Sequence, residues 1–172
     1  MKGDTKTSNI PVVITSNLGD AGDIKSTKAL GADEYFIKSN TEIKKIIQYA
    51  KAKTILIVED EKSLAEALVE KLTKDNFIAK VAKNGREGLK SALRNHPDLI
   101  LLDIVMPVMD GMAMLKELRN DQWGKSVPVI ILTNLSEAEK TATALDEGVK
   151  DYLVKTDWKL SEVVEKIKER LA

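Results

Sequence analysis

The sequence lacks cysteine, contains few aromatic residues and carries no excess of either charge. Among its 172 residues cysteine is absent, and Phe, Trp and Tyr together make up 4%. The absence of cysteine excludes disulfides, thiolate nucleophiles and cysteine-ligated zinc. Lys and Arg (27) balance Asp and Glu (27), so no overall field recruits nucleic acid or a membrane surface. A hydrophobic content of 43% with so few aromatics predicts a globular core of Ile, Leu, Val and Ala.

Long hydrophobic runs are also missing. No apolar stretch approaches the roughly 20 residues of a membrane-spanning helix. Residues 1–9 are polar and lack the apolar core of a secretion signal. We therefore expect a cytoplasmic protein with no membrane or nucleic-acid partner. The length allows one domain of ordinary size and a fragment of a second.

One stretch places a carboxylate at the end of a buried strand. The apolar residues 99–102 lead without alternation into Asp103, and the chain then turns at Asp110-Gly111. An unbroken apolar run that ends in a turn is typical of a strand in a parallel sheet. Open α/β sheets carry their ligands and reactive groups at the carboxyl ends of the strands, so Asp103 is a candidate site residue. The alternative is an aspartate that only caps the strand.

The chain contains an internal repeat. Residues 10–51 align without a gap with residues 127–168. Identical pairs fall on the turns, strands and helices, and they include Pro11/Pro128, Asn17/Asn134, Gly31/Gly148, Tyr35/Tyr152 and Lys38/Lys155. Each copy is predicted to form a strand, a helix, a second strand and a second helix.

The hydrophobic pattern of residues 54–172 predicts five strands that alternate with five helices. Right-handed crossovers between such strands give a parallel sheet with helices on both faces. We therefore predict an α/β protein in which residues 53–172 form a complete domain with a doubly wound five-stranded parallel sheet. Residues 1–51 are predicted to form an additional βαβα half-domain.

Charged and polar residues stand where four of these strands end. Glu59-Asp60 follows the first strand, and Asp103 ends the third. Thr133 ends the fourth strand and Lys155 follows the fifth, so all these side chains share one edge of the sheet. The three carboxylates would repel one another without a counter-charge, and a divalent cation with oxygen ligands, such as Mg²⁺, removes that repulsion. The Lys155 ammonium and the Thr133 hydroxyl are suited to bind phosphoryl oxygens.

In the order and spacing of these residues, the segment from about 53 to 172 resembles the response-regulator receiver domain of two-component signalling, which has a flavodoxin-like fold. The resemblance rests on Glu59-Asp60, Asp103, Met106-Pro107, Asp110-Gly111, Thr133 and Lys155. It implies a phosphoacceptor module that receives a phosphoryl group from a histidine kinase, a phosphotransfer protein or a small acyl phosphate. The sequence departs from the family at Thr156, where proline is usual, and at Glu59, where aspartate is commoner.

The same resemblance implies the role of each residue. Asp103 would be the phosphoacceptor, Thr133 and Lys155 would sense the aspartyl phosphate, and Tyr152 occupies the position of the family's switch aromatic. The implied Mg²⁺ ligands are Glu59, Asp60, Asp103 and the backbone carbonyl of Val105. Apart from phosphoryl transfer to its own aspartate and autodephosphorylation, we expect no enzyme activity.

Other functions fit parts of this pattern. A pseudo-receiver that is inactive in phosphorylation, or an engineered or duplicated scaffold, would keep the fold for assembly alone. A phosphatase of the haloacid dehalogenase type needs a second aspartate two residues after Asp103, where Val105 stands. A flavodoxin-like cofactor binder needs a phosphate-binding loop after the first strand, where the charge of Glu59-Asp60-Glu61 is unfavourable.

The first copy of the repeat lacks counterparts of the acidic pair and of Asp103. It keeps Ser16 and Lys38 at the positions of Thr133 and Lys155. Two strands and two helices provide too little core for independent stability, so we expect this half-domain to dock. It could pair edge to edge with its counterpart in a second chain, which we predict, giving a homodimer. Alternatively, it could pack on the last helix of its own receiver, or replace residues 127–172 in a permuted or swapped receiver whose site Ser16 and Lys38 complete.

Overall fold

The chain divides into two compact units, Met1–Ala52 and Lys53–Ala172. The computed structural model describes residues 12–133, 151–155 and 159–172. Within these ranges, no helix combines the length and the apolar character needed to cross a membrane.

The first unit contains a two-stranded parallel sheet and two helices. Its elements are β1 (Val13–Ser16), α1 (Ala21–Ala29), β2 (Glu34–Ile37) and α2 (Ile43–Lys51). Asp20 caps α1 by accepting a hydrogen bond from the amide of Gly22 at 2.7 Å. None of residues 12–52 is buried, and Ile43 and Ile47 on α2 are 75% and 49% exposed.

The second unit contains a five-stranded parallel sheet whose strands follow the order β4-β3-β5-β6-β7. These strands are β3 (Thr54–Val58), β4 (Ile78–Ala82), β5 (Leu99–Asp103), β6 (Val129–Thr133) and β7 (Asp151–Val154). Its described helices are α3 (Lys62–Lys74), α4 (Gly85–Asn95), α5 (Gly111–Arg119) and α6 (Leu160–Leu171). This confirms the predicted doubly wound α/β sheet, while the helix predicted between β6 and β7 lies outside the described residues.

Helices cover both faces of this sheet because successive strand side chains point to opposite sides. On one face, β3 and β5 contribute Leu56, Val58, Ile100 and Leu102, which pack with side chains of α4 and α5. The other face carries Ile55, Ile57, Leu99 and Leu101, which pack with side chains of α3 and α6. Strand β5 is buried along its whole length, so the residue at its carboxyl end occupies a rigid position.

The two units pair their aligned strands in the same register. In the first unit Val13 lies opposite Glu34 and Ser16 opposite Ile37. In the second unit the residues that the repeat aligns with these form the corresponding pairs, Ile130 with Asp151 and Thr133 with Val154. The similarity between the two copies therefore extends from sequence to strand pairing.

Candidate functional site

The site is built around Asp103, which ends the buried strand β5. Its side chain is almost inaccessible, with Asp103 only 3% exposed. The Asp103 Oδ1 atom accepts a hydrogen bond from the amide of Ile104 at 2.8 Å. Burial of the strand and this bond together fix the carboxylate at the edge of the sheet.

Two further carboxylates lie beside Asp103. Glu59 directly follows β3 and is 1% exposed, whereas Asp60 is exposed to solvent. One carboxylate oxygen from each of Glu59, Asp60 and Asp103 lies within 4.8 Å of the others. The strand order explains this arrangement, since β3 and β5 are hydrogen-bonded neighbours that end at the same edge.

Lys155, which directly follows β7, connects the two buried acids. Its Nζ atom lies 2.9 Å from Oε2 of Glu59 and 3.0 Å from Oδ1 of Asp103. The lysine side chain is itself only 14% exposed. Two buried acids and one partly buried base thus form a cluster with an excess of negative charge when all three are ionised.

The protonation equilibria of the three groups reflect this cluster. Burial raises the pKa of Glu59 above its ordinary value, although the Lys155 ammonium acts in the opposite direction. The pKa of Asp103 is also raised, first by burial, while Lys155 again opposes the shift. For Lys155, burial alone would lower the pKa, but the two neighbouring carboxylates raise it above its ordinary value. The ammonium therefore stays charged and both acids gain from an additional cation.

The arrangement fits a divalent cation. Oε2 of Glu59 is buried, and its partner among the described residues is the Lys155 ammonium at 2.9 Å. That ammonium is shared with Asp103, so one positive charge serves two buried carboxylates and further cationic charge is favourable. Carboxylates and carbonyls are also the ligands that Mg²⁺ prefers. The three acids are thus chemically suited to hold this ion.

The loop after β5 is held in a tight conformation. Val108 has a φ of 70°, and the Met109 amide donates to the carbonyl of Pro107 at 2.8 Å, which defines a γ-turn. The Asp110 side chain then caps α5 by accepting a hydrogen bond from the Ala113 amide at 2.7 Å. The turn returns the chain to the sheet edge, where the Gly111 amide donates to the carbonyl of Ile104 at 2.9 Å.

We expect replacement of Val108 by glycine to stabilise the protein by about 1 kcal/mol. A β-branched residue is strained at this left-handed φ, and relief of that strain exceeds the entropic cost of glycine in the unfolded chain. Urea unfolding of both proteins measures the difference. Val105→Gly is a matched control, because Val105 is exposed in the same loop but does not have positive φ, and it should destabilise. Equal losses in the two variants would contradict the prediction.

Sequence reasoning did not reveal the role of Gly111 in placing Asp103. A Cβ atom at Gly111 would lie 2.0 Å from the backbone oxygen of Asp103. The Asp110-Gly111 pair indicated a turn, but nothing in the sequence showed how closely the turn approaches the strand. Only glycine allows this contact.

Replacing Gly111 by alanine should therefore cost about 3 kcal/mol of stability, because either β5 or α5 must shift. The shift should also displace Asp103 from Lys155. Thermal or urea unfolding measures the loss, and Gly22→Ala provides the comparison, since a Cβ atom there would meet only the flexible Asp20 side chain at 3.1 Å. A loss in Gly111→Ala no larger than in Gly22→Ala would show that the loop adapts without cost.

For the remaining predicted site residues, the structure gives their position in the fold but fewer side-chain contacts. Thr133 ends β6 opposite Val154, and its side chain lies outside the described part. Tyr152 on β7 is 51% exposed, and Val105 is 50% exposed in the loop after Asp103. In the first unit, Ser16 and Lys38 stand at the ends of β1 and β2, where the Lys38 amide donates to the Ser16 carbonyl at 2.7 Å. In the sheet, β5 lies between β3 and β6. The lysine that the structure places in contact with Asp103 is Lys155, as predicted for a complete second unit.

Comparison with known proteins identifies the family. The family model for the response regulator receiver domain matches residues 55–168. This chain belongs to the response-regulator receiver family. Receiver domains of this family serve two-component systems as signalling modules rather than as conventional enzymes.

Individual relatives agree with this assignment. The response regulator ArlR of Staphylococcus haemolyticus is 43% identical over 101 residues, covering 59% of this chain and 45% of ArlR. This chain thus spans about half the length of the curated relatives that it matches. Among solved structures, the Francisella response regulator 1452 receiver domain has a TM-score of 0.62 with 31% identity, covering 68% of this chain and 94% of that one.

A further solved relative bears on the acidic cluster. The receiver domain of the sensor histidine kinase PA1611 from Pseudomonas aeruginosa has a TM-score of 0.63 with 30% identity. The match covers 70% of this chain and 97% of that one, which holds a magnesium ion in its active-site cleft. In this chain Glu59, Asp60 and Asp103 form an acidic cluster.

Proposed function

We propose that residues 53–172 act as a phosphoacceptor module of a two-component phosphorelay, phosphorylated on Asp103 and signalling through protein contact. The observation that carries this proposal is the cluster of three carboxylates with Lys155 at one edge of the sheet. Every charged position of the family's site is filled. The rival reading, a pseudo-receiver or an engineered scaffold that serves only assembly, gives no reason for burying two acids against one lysine.

The proposed metal ligands are Glu59, Asp60, Asp103 and the backbone carbonyl of Val105. When bound, Mg²⁺ supplies positive charge to the oxygens of the transferring phosphoryl group. The buried Glu59 would add a ligand at a fixed position, whereas the exposed Asp60 can adjust its position to the ion. The difference in burial thus suggests a site with one rigid and one adaptable acid from the pair.

Asp103 is proposed as the nucleophile. A bond forms between one of its Oδ atoms and phosphorus while the bond from phosphorus to the donor's imidazole nitrogen or acyl oxygen breaks, and the donor leaves with the bonding electrons. Lys155 already lies 3.0 Å from Oδ1 and is positioned to follow the charge onto a phosphoryl oxygen. Thr133, at the carboxyl end of β6, is proposed to bind another phosphoryl oxygen.

Tyr152 is proposed to change position when Asp103 is phosphorylated. Its half-exposed side chain is free of the core. Tyr35, which occupies the aligned position of the repeat, donates its hydroxyl hydrogen to the carbonyl of Leu18 at 2.7 Å. A tyrosine at this strand position can therefore reach the loop after the neighbouring strand, which supports a two-state role for Tyr152.

Incubation with acetyl phosphate and Mg²⁺, followed by intact-mass and peptide mass spectrometry, tests the proposal. We expect the mass of one phosphoryl group on the peptide that contains Asp103, and none when a chelator removes Mg²⁺. An unmodified protein that also shows no spectral response to beryllofluoride would favour the pseudo-receiver instead.

The proposed phosphodonor in a cell is a histidine kinase or a phosphotransfer protein. A groove of about 590 Å³ adjoins the site, since Glu59 and Asp60 form part of its wall. The rest of its described lining combines the apolar side chains of Ala65, Val69 and Val81 with charged side chains, namely those of Lys62, Glu66, Glu70 and Lys83. Such a surface beside the phosphoacceptor is suited to an amphipathic helix that presents a phosphohistidine.

For residues 1–51 we propose a receiver half-domain that mediates assembly into a homodimer, with the exposed apolar face of α2 as the contact surface instead of the strand edges expected from the sequence. The identical strand register of the two copies supports its origin as a receiver half. The exposure of Ile43 and Ile47 supports a binding role. The α6 residues that the repeat aligns with them are better covered, since Leu160 is partly buried and Val164 is only 1% exposed. The apolar face of α2 is thus much less covered than that of α6.

Light scattering coupled to size exclusion tests the assembly in the full chain. We expect twice the chain mass for the native protein and a monomer for the Ile43→Glu/Ile47→Glu variant. Lys44→Glu/Lys45→Glu changes two exposed positions between them on the same helix and should remain dimeric. A monomeric native protein would exclude the dimer, but it would not contradict the proposal that Asp103 is phosphorylated.

A further inference from the structure

The exposed face of α4 carries a line of cations. Arg86, Lys90 and Arg94 are spaced four residues apart, and all three are exposed to solvent. Residues four apart lie on one face of a helix, about 6 Å apart along its axis, so the three charges form a line about 12 Å long. Leu93, which is 38% exposed, lies on the same face, seven residues after Arg86. We call these four residues the α4 stripe.

Within the part of the chain that the structure describes, none of the three cations of the α4 stripe lies in an ion pair. Lysines on other helices of the same unit differ in this respect. Lys74 on α3 pairs with Glu70 at 2.6 Å, and Lys168 on α6 pairs with Asp75 at 3.1 Å. The positive charge of the α4 stripe is therefore available to an anionic partner.

The acidic residue of α4 is occupied at the beginning of the helix. The Glu87 carboxylate accepts hydrogen bonds from the amide of Lys83 and from Nδ2 of Asn84, both at 3.2 Å. The Asn84 side chain in turn accepts from the Glu87 amide at 2.9 Å, which completes a reciprocal cap. Glu87 thus serves the cap, and its carboxylate is held away from the two later cations of the stripe.

Helix stability does not explain the position of Arg86. It is the second residue of α4 and lies in the first turn, where the partial positive charge of the helix end disfavours a cation. Arg94 lies in the last turn, where a cation is favourable. The stripe therefore contains at least one charge whose position suits binding better than folding.

The α4 stripe is held rigidly and begins beside the loop that follows Asp103. A Cβ atom at Gly88 would lie 2.7 Å from Cγ1 of Val58, so α4 lies unusually close to β3. The Gly85 amide donates to the carbonyl of Met109 at 2.9 Å, which joins the beginning of α4 to that loop. The spacing of the cations is thus fixed by a well-packed helix.

We propose that the α4 stripe binds an acidic helical segment of a partner protein. Carboxylates four residues apart on such a helix repeat at the same interval as the three cations, so three ion pairs can form together. An apolar residue of the partner helix can cover Leu93. Membranes and nucleic acids are attracted by a broad cationic field, whereas this chain has no net charge and presents only a narrow line. The binding does not require phosphorylation of Asp103.

Fluorescence anisotropy of two labelled peptides with the unphosphorylated full chain tests the proposal. The first peptide is an alanine-based helix with one leucine and three glutamates spaced four residues apart. The second has the same composition, but its three glutamates are consecutive and point in different directions around the helix. We expect the first peptide to bind at least about tenfold more tightly, because only it can form the three ion pairs together. Equal affinities would overturn the proposal.

Substitutions in the stripe test where the first peptide binds. Arg86→Gln/Lys90→Gln/Arg94→Gln should weaken its binding at least about tenfold. The charge-reversed variant Arg86→Glu/Lys90→Glu/Arg94→Glu should lose the glutamate peptide and bind a version in which lysine replaces glutamate. Since all three side chains are exposed, circular dichroism should show that both variants are folded. A folded charge-reversed variant that does not bind the lysine peptide would contradict the site.

The matched control is Lys74→Gln/Lys166→Gln/Lys168→Gln, which removes the same net charge from α3 and α6. It should bind the first peptide with nearly native affinity, and an equal loss in both triple variants would reduce the effect to general attraction. Vesicles of phosphatidylserine and phosphatidylcholine provide the last comparison. Vesicle binding that depends on the same three cations, without binding of the peptide, would make the occupant a membrane and overturn the proposal.

Discussion

Replacement of Asp103 by asparagine is expected to abolish phosphorylation by acetyl phosphate in the presence of Mg²⁺. Asparagine has nearly the same shape, so β5 and its packing should be retained, but a neutral amide is not a nucleophile for phosphorus. The variant also lacks one of the three charges proposed to hold the ion. Intact-mass spectrometry should show no added phosphoryl group, and the affinity for Mg²⁺ should fall.

The matched control is Asp110→Asn. It makes the same chemical change in the loop that follows β5, and asparagine can still accept the hydrogen bond from Ala113 that caps α5. This variant should be phosphorylated normally. Full phosphorylation of Asp103→Asn, or equal loss in both variants, would contradict the assignment of Asp103 as phosphoacceptor.

Asp103→Asn should also change how stability depends on pH. Because burial raises the pKa of Asp103, the folded protein binds a proton there more readily than the unfolded chain. The native carboxyl thus favours the folded state below its unfolded pKa, and this contribution is lost as pH rises through the folded pKa. Without Mg²⁺, the variant should therefore be more stable than the native protein at pH 7. The difference should disappear in acid, and urea unfolding at several pH values measures it.

Replacement of Lys155 by methionine is expected to destabilise the protein by about 3 kcal/mol at neutral pH in the absence of Mg²⁺. Methionine retains the length and packing of the lysine chain but leaves Glu59 and Asp103 buried without their cation. Both acids should then hold protons more strongly than in the native protein. The destabilisation should accordingly shrink as pH falls.

Mg²⁺ should restore part of the stability that Lys155→Met loses, because the ion replaces the missing positive charge. Its affinity should be higher than for the native protein, in which the ammonium competes for two of the three acids. The double variant Glu59→Gln/Lys155→Met removes an acid together with the base and should be more stable than Lys155→Met alone. A double variant that is less stable than the single one would show that the lysine acts through packing.

The position of the site could be predicted because it follows from strand topology. An unbroken apolar strand predicted the burial of Asp103, and the alternation of strands and helices predicted a parallel sheet with all carboxyl ends at one edge. Those two steps are enough to bring Glu59, Asp103 and Lys155 within contact, as the structure shows. The repeat was likewise visible in sequence, since its landmarks are identical residues.

Other features depend on distances between atoms, which the hydrophobic pattern of the sequence does not predict. The left-handed backbone of Val108 contradicts the preference of a β-branched residue, so local propensity pointed away from it. The close contact of Gly111 with Asp103 arises from how the loop after β5 packs against the strand. The sequence also did not indicate that Lys155, predicted to sense the aspartyl phosphate, forms ion pairs with both buried acids.

The rigid backbone around Asp103 determines which residues should move when Asp103 is phosphorylated. The strand is buried throughout, Gly111 abuts its last carbonyl oxygen, and the Ile104 amide is bonded to the Asp103 carboxylate. If Asp103 is phosphorylated, the backbone around it has little room to move. The added volume and charge must then be accommodated by the residues that face the Asp103 carboxylate. Those neighbours are Lys155 and the ends of β6 and β7. Information should therefore leave the site laterally across the sheet, towards the strand pair that the chain carries in two copies.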